Sequence, residues 1–159
     1  MVNTRMNIEY LADHPECIPI LATWLYEQWS WFLPPGNSAE TIAAKFHAHT
    51  NRHTLPLALI ALEGAKLLGT ASLRVHDMDI LTDLTPWVGG VYVARDHRQK
   101  GIGRSLVRAI EHKALELGFR AAYLFTFDNQ PLYSSLGWEI LIKLDYHQHP
   151  VIVMHKALS

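Results

Sequence analysis

With 159 residues, 49% of them hydrophobic, and a formal net charge of −1, the chain is long enough for one domain with a buried core and too apolar to be disordered. The absence of a basic excess excludes a nucleic-acid scaffold, whose phosphate contacts need Lys and Arg gathered on one face. The single cysteine, Cys17, cannot close an internal disulfide, Met1 to Tyr10 holds no apolar signal core, and the longest apolar run, Leu55 to Leu62, contains Pro56; a soluble cytoplasmic protein with no membrane partner is expected.

Met6 to Leu11 reads as a first strand. Asp13, Pro15 and Glu16 have the spacing of a capping box, which predicts a helix from there with Ile18, Leu21, Ala22, Leu25 and Trp29 on its apolar face. Pro34-Pro35-Gly36 ends that helix, and a second is expected from Asn37 or Ser38 to about His49, with Glu40 placed for capping. Leu57 to Leu62 and Lys66 to Val75 read as a hairpin around Glu63-Gly64-Ala65. The loop from His76 to Pro86 carries Asp77, Asp79 and Asp83. Trp87 to Val93 is a strand, Arg95 to Lys100 a polar connection, and Ile102, Leu106, Ala109, Ile110 and Leu117 mark a helix that Gly118 is placed to end. Ala121 to Thr126 is a further strand, Gln130 to Leu136 a short helix stopped by Gly137, and Trp138 to Leu144 and Val151 to Lys156 the last two strands. The order β-α-α-β-β-β-α-β-α-β-β, without repeats or linkers, predicts a single α/β (α+β) domain over residues 1–159.

A basic, glycine-bearing turn that opens a helix is an anion site, because the first backbone N–H groups have no internal partners and the helix dipole adds positive charge there. Walker A order fails, since Lys100 precedes Gly101. A dinucleotide fingerprint fails too, since Leu106 stands where the third glycine belongs. Arg98-Gln99-Lys100-Gly101-Ile102-Gly103, five residues after the strand ending in Val93, resembles the Q/R-x-x-G-x-G/A acetyl-CoA signature of the GNAT N-acetyltransferases. Downstream, Leu132-Tyr133-Ser134-Ser135-Leu136-Gly137-Trp138 resembles that family's L-Y-x-x-L-G-F/W segment, and the element order is also that of the GNAT fold. The resemblance implies a central mixed, mostly antiparallel sheet of about seven strands flanked by about four helices.

It also implies roles. Acetyl-CoA would be the cosubstrate, with the amides of Gln99 to Arg104 on its diphosphate, Arg98, Lys100 and Arg104 adding charge, and Ser105 in the same helical turn. The main chain of Val91, Tyr92 and Val93 would pair with the pantetheine arm. Tyr133 stands where the family keeps the acid that protonates the leaving thiolate. Asn129 invites comparison with a pantetheine-binding asparagine, although the spacing to Tyr133 favours Thr126 for that position, and Asn129 also reads as a helix cap. Many relatives carry a glutamate base on the strand before the turn; here Gly89-Gly90 stands instead, giving the acceptor room or marking a bulge. The candidate bases are then Asp83, Asp79 and Asp128, followed by His76 and Tyr92. Trp29 and Trp31, among the aromatics of the first helix and its end, with Glu27 as a partner for a cation, are the expected acceptor contacts. His47, His49, His53, His147 and His149 do not make a metal site: residues two apart on a helix do not face each other and no Cys or Glu completes a set.

The expected activity is direct transfer of acetyl to a primary amine of a small molecule, in a monomer or homodimer. Acetylation of a protein or peptide N-terminus or lysine is the alternative within the enzyme class. From another class, Gly89-Gly90 leaves open a CoA-binding sensor or interaction module that has lost its base.

Overall fold

The structure is a computed structural model that describes residues 5–159; residues 1–4 of the expected domain lie outside the described residues. Strands β1 (Met6–Tyr10), β2 (Leu57–Glu63), β3 (Lys66–Arg74), β4 (Trp87–Val93), β5 (Ala121–Thr126), β6 (Glu139–Tyr146) and β7 (His149–Ala157) form one sheet in the order β1-β2-β3-β4-β5-β7-β6. Helices α1 (Ile18–Trp29), α2 (Ala39–Ala48), α3 (Ile102–Glu116) and α4 (Gln130–Ser135) accompany it. All strand pairs are antiparallel except β4 with β5.

The apolar run of β2 follows from burial on both faces. Leu57, Leu59 and Ala61 pack with Leu106, Val107 and Ile110 of α3, whereas Ala58, Ile60 and Leu62 pack with Leu21, Leu25, Ile42 and Phe46 of α1 and α2. Helix α3 is therefore on one face and the α1–α2 pair on the other. A third cluster, Trp87, Met78, Tyr146, Val151 and Val153, gathers the loop after β3 against β7.

Several boundaries differ from the sequence expectation. The Asp13–Glu16 capping box does not form. Leu11–Asp13 and Pro15–Cys17 are short 3-10 turns, and α1 starts at Ile18 with no side-chain cap. Both carboxylates have other partners: Asp13 pairs with Arg52, and His14 takes Glu9 at 2.6 Å and Glu16 at 3.4 Å. At α2, Ser38 is the cap, with Thr41 rather than Glu40 returning the second bond of the box (2.9 and 3.1 Å). The last hairpin is tighter than expected, because His147 and Gln148 take left-handed φ values of 48° and 69° and let β6 and β7 pair up to the turn.

Two features open the site. Between β3 and β4 the register shifts: Thr70 faces Tyr92 and Ser72 faces Gly89, so Gly90 and Val91 stand against Ala71 alone. This is a β-bulge with glycine at left-handed φ (58°), which only a residue without Cβ adopts freely. Between β4 and β5 the ladder has a single position, Trp87 with Tyr123. Beyond it the two strands part.

Candidate active site

The parting of β4 and β5 produces a cleft of about 690 Å³, lined from β4 by Val88 to Val93, from the β5 end by Phe125 to Asn129, and from the helices by Leu25, Trp29, Lys45, His49 and Tyr133. On this side β4 has no strand partner after Trp87, so apart from the Val93 C=O, which Arg98 occupies, that edge is open for pairing with an extended molecule.

One end of the cleft is the turn before α3. Gln99 (φ 63°) and Gly101 (φ 83°) are both left-handed, and Gly101 caps α3 without a side-chain bond. The amides of Gly101 to Arg104 thus have no intrahelical acceptor; the ladder begins with Ser105 N–H to Gly101 C=O at 3.1 Å. A Cβ at Gly101 would meet nothing within 4 Å and one at Gly103 only Val93 Cγ2 at 3.6 Å, so the space over these amides is open, as a diphosphate requires. Arg98, Gln99, Gly101, Ile102, Gly103 and Arg104 line the cleft, whereas Lys100 and Ser105 do not. The cations are partly engaged: Arg98 Nε donates to Val93 C=O (3.0 Å) with its guanidinium 5.3 Å from the Tyr92 ring, and Arg104 Nη1 donates to Ser135 Oγ (2.8 Å).

Tyr133 comes from α4 and is only 6% exposed, with its ring edge-on to Trp138 at 6.3 Å, yet it lines the cleft. Burial, joined by the negative charge of Asp77, holds its hydroxyl far above the usual phenol range, so it stays protonated and able to donate. Asn129 precedes α4 but makes no side-chain cap; its backbone N–H donates to Thr126 Oγ1 at 3.0 Å, and both residues line the cleft.

The interior of the cleft holds a polar group that the sequence reading passed over. Arg74, the last residue of β3, donates from Nη1 to Asp77 Oδ1 at 2.6 Å and from Nε to His49 Nε2 at 3.0 Å. His49 in turn donates Nδ1–H to Lys45 C=O at 2.6 Å, a pattern that requires the neutral imidazole. Burial and the neighbouring Arg74 charge push the His49 pKa down to about 4. Burial raises that of Asp77, against the opposing pull of Arg74. Lys45 is lowered, first by burial and then by Arg74. Bulge geometry makes the room: a Cβ on Gly89 would fall 2.6 Å from Asp77 Oδ2, and one on Gly90 would fall 2.9 Å from Arg74 Nη2. The signal available in the sequence was Gly89-Gly90 itself, a vacancy filled from the end of β3 and the loop after it.

The other expected residues are dispersed. Asp128 is exposed at the mouth of the cleft; Asp83 is exposed on its loop and does not line it. Asp79 pairs with His147 at 3.1 Å, away from the cleft lining, and His76 is exposed. Trp29 lines the cleft, but Trp31 lies outside it, packed edge-on to Phe127 (5.0 Å) and His149 (4.8 Å). Glu27 faces a separate shallow groove with Trp24, Tyr92, Arg95 and His97. Among the described residues no three His, Cys, Asp or Glu side chains gather as a metal site, and no helix is long and apolar enough to cross a membrane.

Comparison with solved structures finds the same architecture repeatedly. An aminoglycoside 6′-N-acetyltransferase complexed with coenzyme A superposes with a TM-score of 0.74 at 17% identity, over 95% of this chain and 96% of the other. YncA, a putative acetyltransferase from Salmonella typhimurium with acetyl-CoA, gives 0.75 at 17% identity over 99% and 95%. A GCN5-related N-acetyltransferase from Kribbella flavida gives 0.75 at 19% identity over 96% and 98%. At these identities the likeness establishes the fold. No curated protein sequence matches the chain. The profile of the acetyltransferase (GNAT) family matches residues 18–138, well over half of the sequence and including both the turn and Tyr133. By that match and by its fold, the chain belongs to the GNAT family of acetyltransferases.

Proposed function

We propose that the protein transfers the acetyl group of acetyl-CoA directly to a primary amine of a small molecule. The observation that carries this reading is the continuity of one cleft from the open amides at Gly101 to Arg104, along the unpaired edge of β4, to the buried hydroxyl of Tyr133. The cosubstrate supplies the activated acetyl thioester when bound; everything else is done by the chain. The turn amides and the dipole of α3 hold the diphosphate, each nearby charge adding about 0.3–1 kcal/mol. The main chain of Val91 to Val93 aligns the pantetheine arm, and a β4 amide stabilises negative charge on the acetyl oxygen. Tyr133 gives its proton to the departing sulfur. Alignment of two reactants in this way removes about 7–11 kcal/mol from the barrier.

For the acceptor, the aromatic faces of Trp29, Phe32, Phe125 and Phe127, with Asp128 at the mouth, suit an ammonium group attached to a small body. The size of the cleft fits a small molecule beside the pantetheine arm, and aminoglycoside acetyltransferases stand among the similar folds. The test is thiol release from acetyl-CoA with spermidine, kanamycin, glucosamine and a short peptide, alongside a thermal shift with CoA. Release with one of the small amines is expected. Release with the peptide alone moves the acceptor to proteins, and a thermal shift without release on any amine makes the protein a CoA-binding module.

A further inference from the structure

We propose that Asp77, brought in from the loop after β3, is the residue that takes the proton from the attacking amine, with Arg74 and His49 as the positioning residues that hold it. The inference rests on the acetyl-transfer reading above and adds the component that β4 lacks. Between Pro86 and Ala94 there is no carboxylate, and the strand turns glycine toward the cleft at positions 89 and 90. That space is filled from behind. Asp77 Oδ2 occupies the place of the missing Gly89 side chain, 2.6 Å from where its Cβ would be, and the Arg74 guanidinium occupies that of Gly90. The carboxylate thus reaches the same stretch of β4 from the loop that follows the neighbouring strand.

The two oxygens of Asp77 differ. Oδ1 accepts from Arg74 Nη1 at 2.6 Å, which fixes the side chain; Oδ2 has no hydrogen-bond partner among the described residues. Nor is it sealed away, since Ser72 Oγ is the one sealed side-chain atom without a partner among them. Arg74 is itself fixed by its Nε bond to His49, and His49 by Lys45 C=O. A carboxylate oriented at one oxygen and open at the other, in a cleft shared with Tyr133, has the form of a general base. The charges that act on it are Arg74 from β3 and Lys45 from α2, and the other titratable groups of that part of the cleft are the neutral His49 at the C-cap of α2, the protonated Tyr133 of α4 and Asp128 beyond β5. Burial raises its basicity, while Arg74 and Lys45 limit the rise.

The protons balance as follows. Asp77 takes one proton from the substrate ammonium and releases it to solvent, leaving a lone pair on nitrogen. That pair bonds to the acetyl carbon as the C–S bond breaks with its electrons on sulfur. Tyr133 gives its phenolic proton to the sulfur and regains one from the nitrogen of the new amide. The products are the amide, the free thiol and one proton in solvent.

The experiment combines Asp77→Asn with a titration of the wild-type protein. In the variant, kcat/KM for the best amine of the panel at neutral pH is expected to fall about a hundredfold or more. The acid limb of the kcat/KM profile should vanish, and calorimetric CoA affinity should stay within about twofold. In the wild type, the ¹³Cγ resonance of Asp77, assigned through the backbone, should titrate with the midpoint of that acid limb; this readout requires no variant to fold. Near-normal kcat/KM in the variant with the limb intact overturns the assignment and leaves acetyl transfer standing. So does a wild-type ¹³Cγ midpoint that does not coincide with the limb. A wild type that binds CoA but acetylates no amine overturns both readings together.

Discussion

His49 makes a sharp prediction about the acid stability of the site. It is 5% exposed, accepts from the Arg74 guanidinium at Nε2 and donates through Nδ1. A second proton would have to sit between the ring and a fixed cation. An unfolded histidine protonates as the pH falls through 6.5, whereas folded His49 resists until about 4. Over that window the unfolded chain binds more protons, so stability is full above 6.5 and is lost as the pH falls toward 4. At about 1.36 kcal/mol per pH unit, the interval amounts to about 3 kcal/mol. The assay is urea unfolding of wild type and His49→Gln at half-unit steps between these limits. Subtracting the two curves removes the other titrating groups, including His14, whose pKa is raised chiefly by Glu9 and whose contribution runs the opposite way. At neutral pH the variant should be less stable by about 1 kcal/mol, for the altered bond to Arg74. The difference should then narrow and reverse by about pH 4, where the wild type has lost its 3 kcal/mol or so. Parallel curves would refute the claim that the imidazole is held neutral by Arg74 and burial.

Tyr133→Phe should lower kcat by about ten- to a thousandfold, since a placed acid helps a thiolate that is already a moderate leaving group; unchanged turnover removes the hydroxyl from the reaction. Gly101→Val places a branched side chain at φ 83° and into the open space above the α3 amides. Calorimetry should show CoA affinity down by about tenfold or more, or about 1.4 kcal/mol. Away from the site, Glu111 accepts from Trp138 Nε1 at 2.9 Å and from Lys156 Nζ at 2.7 Å. Glu111→Ala should destabilise the fold by about 2–3 kcal/mol in denaturant unfolding, with CoA affinity little changed.

The elements were legible because their signals are local. Apolar period, proline, and glycine at Gly64, Gly118 and Gly137 sufficed for the strand and helix order of a GNAT fold. The turn at Gly101 was legible for the same reason: a glycine-bearing strand-to-helix connection is contiguous in sequence. The capping box at Asp13 failed because Arg52 and His14, far and near, drew its carboxylates elsewhere. Trp31 and Glu27 were placed by composition, but Glu27 lies on the part of α1 that faces another groove, and Trp31 follows the end of that helix and lies outside the cleft. The Arg74–Asp77 pair was hidden most deeply. Its relation to Gly89 depends on a register shift between β3 and β4, and registers are set by the assembled sheet rather than by either strand alone.

The lone rung at Trp87 and Tyr123 has a mechanical consequence. Strands β1 to β4 and strands β5 to β7 are two plates sharing one ladder rung, with α3 packed across the join. A plate fastened at so few places resists shear poorly. An elongated occupant lying along both bare margins works as a splint, and its grip should be felt far from its phosphates, as slower amide exchange throughout β5 and β7 once the coenzyme is added.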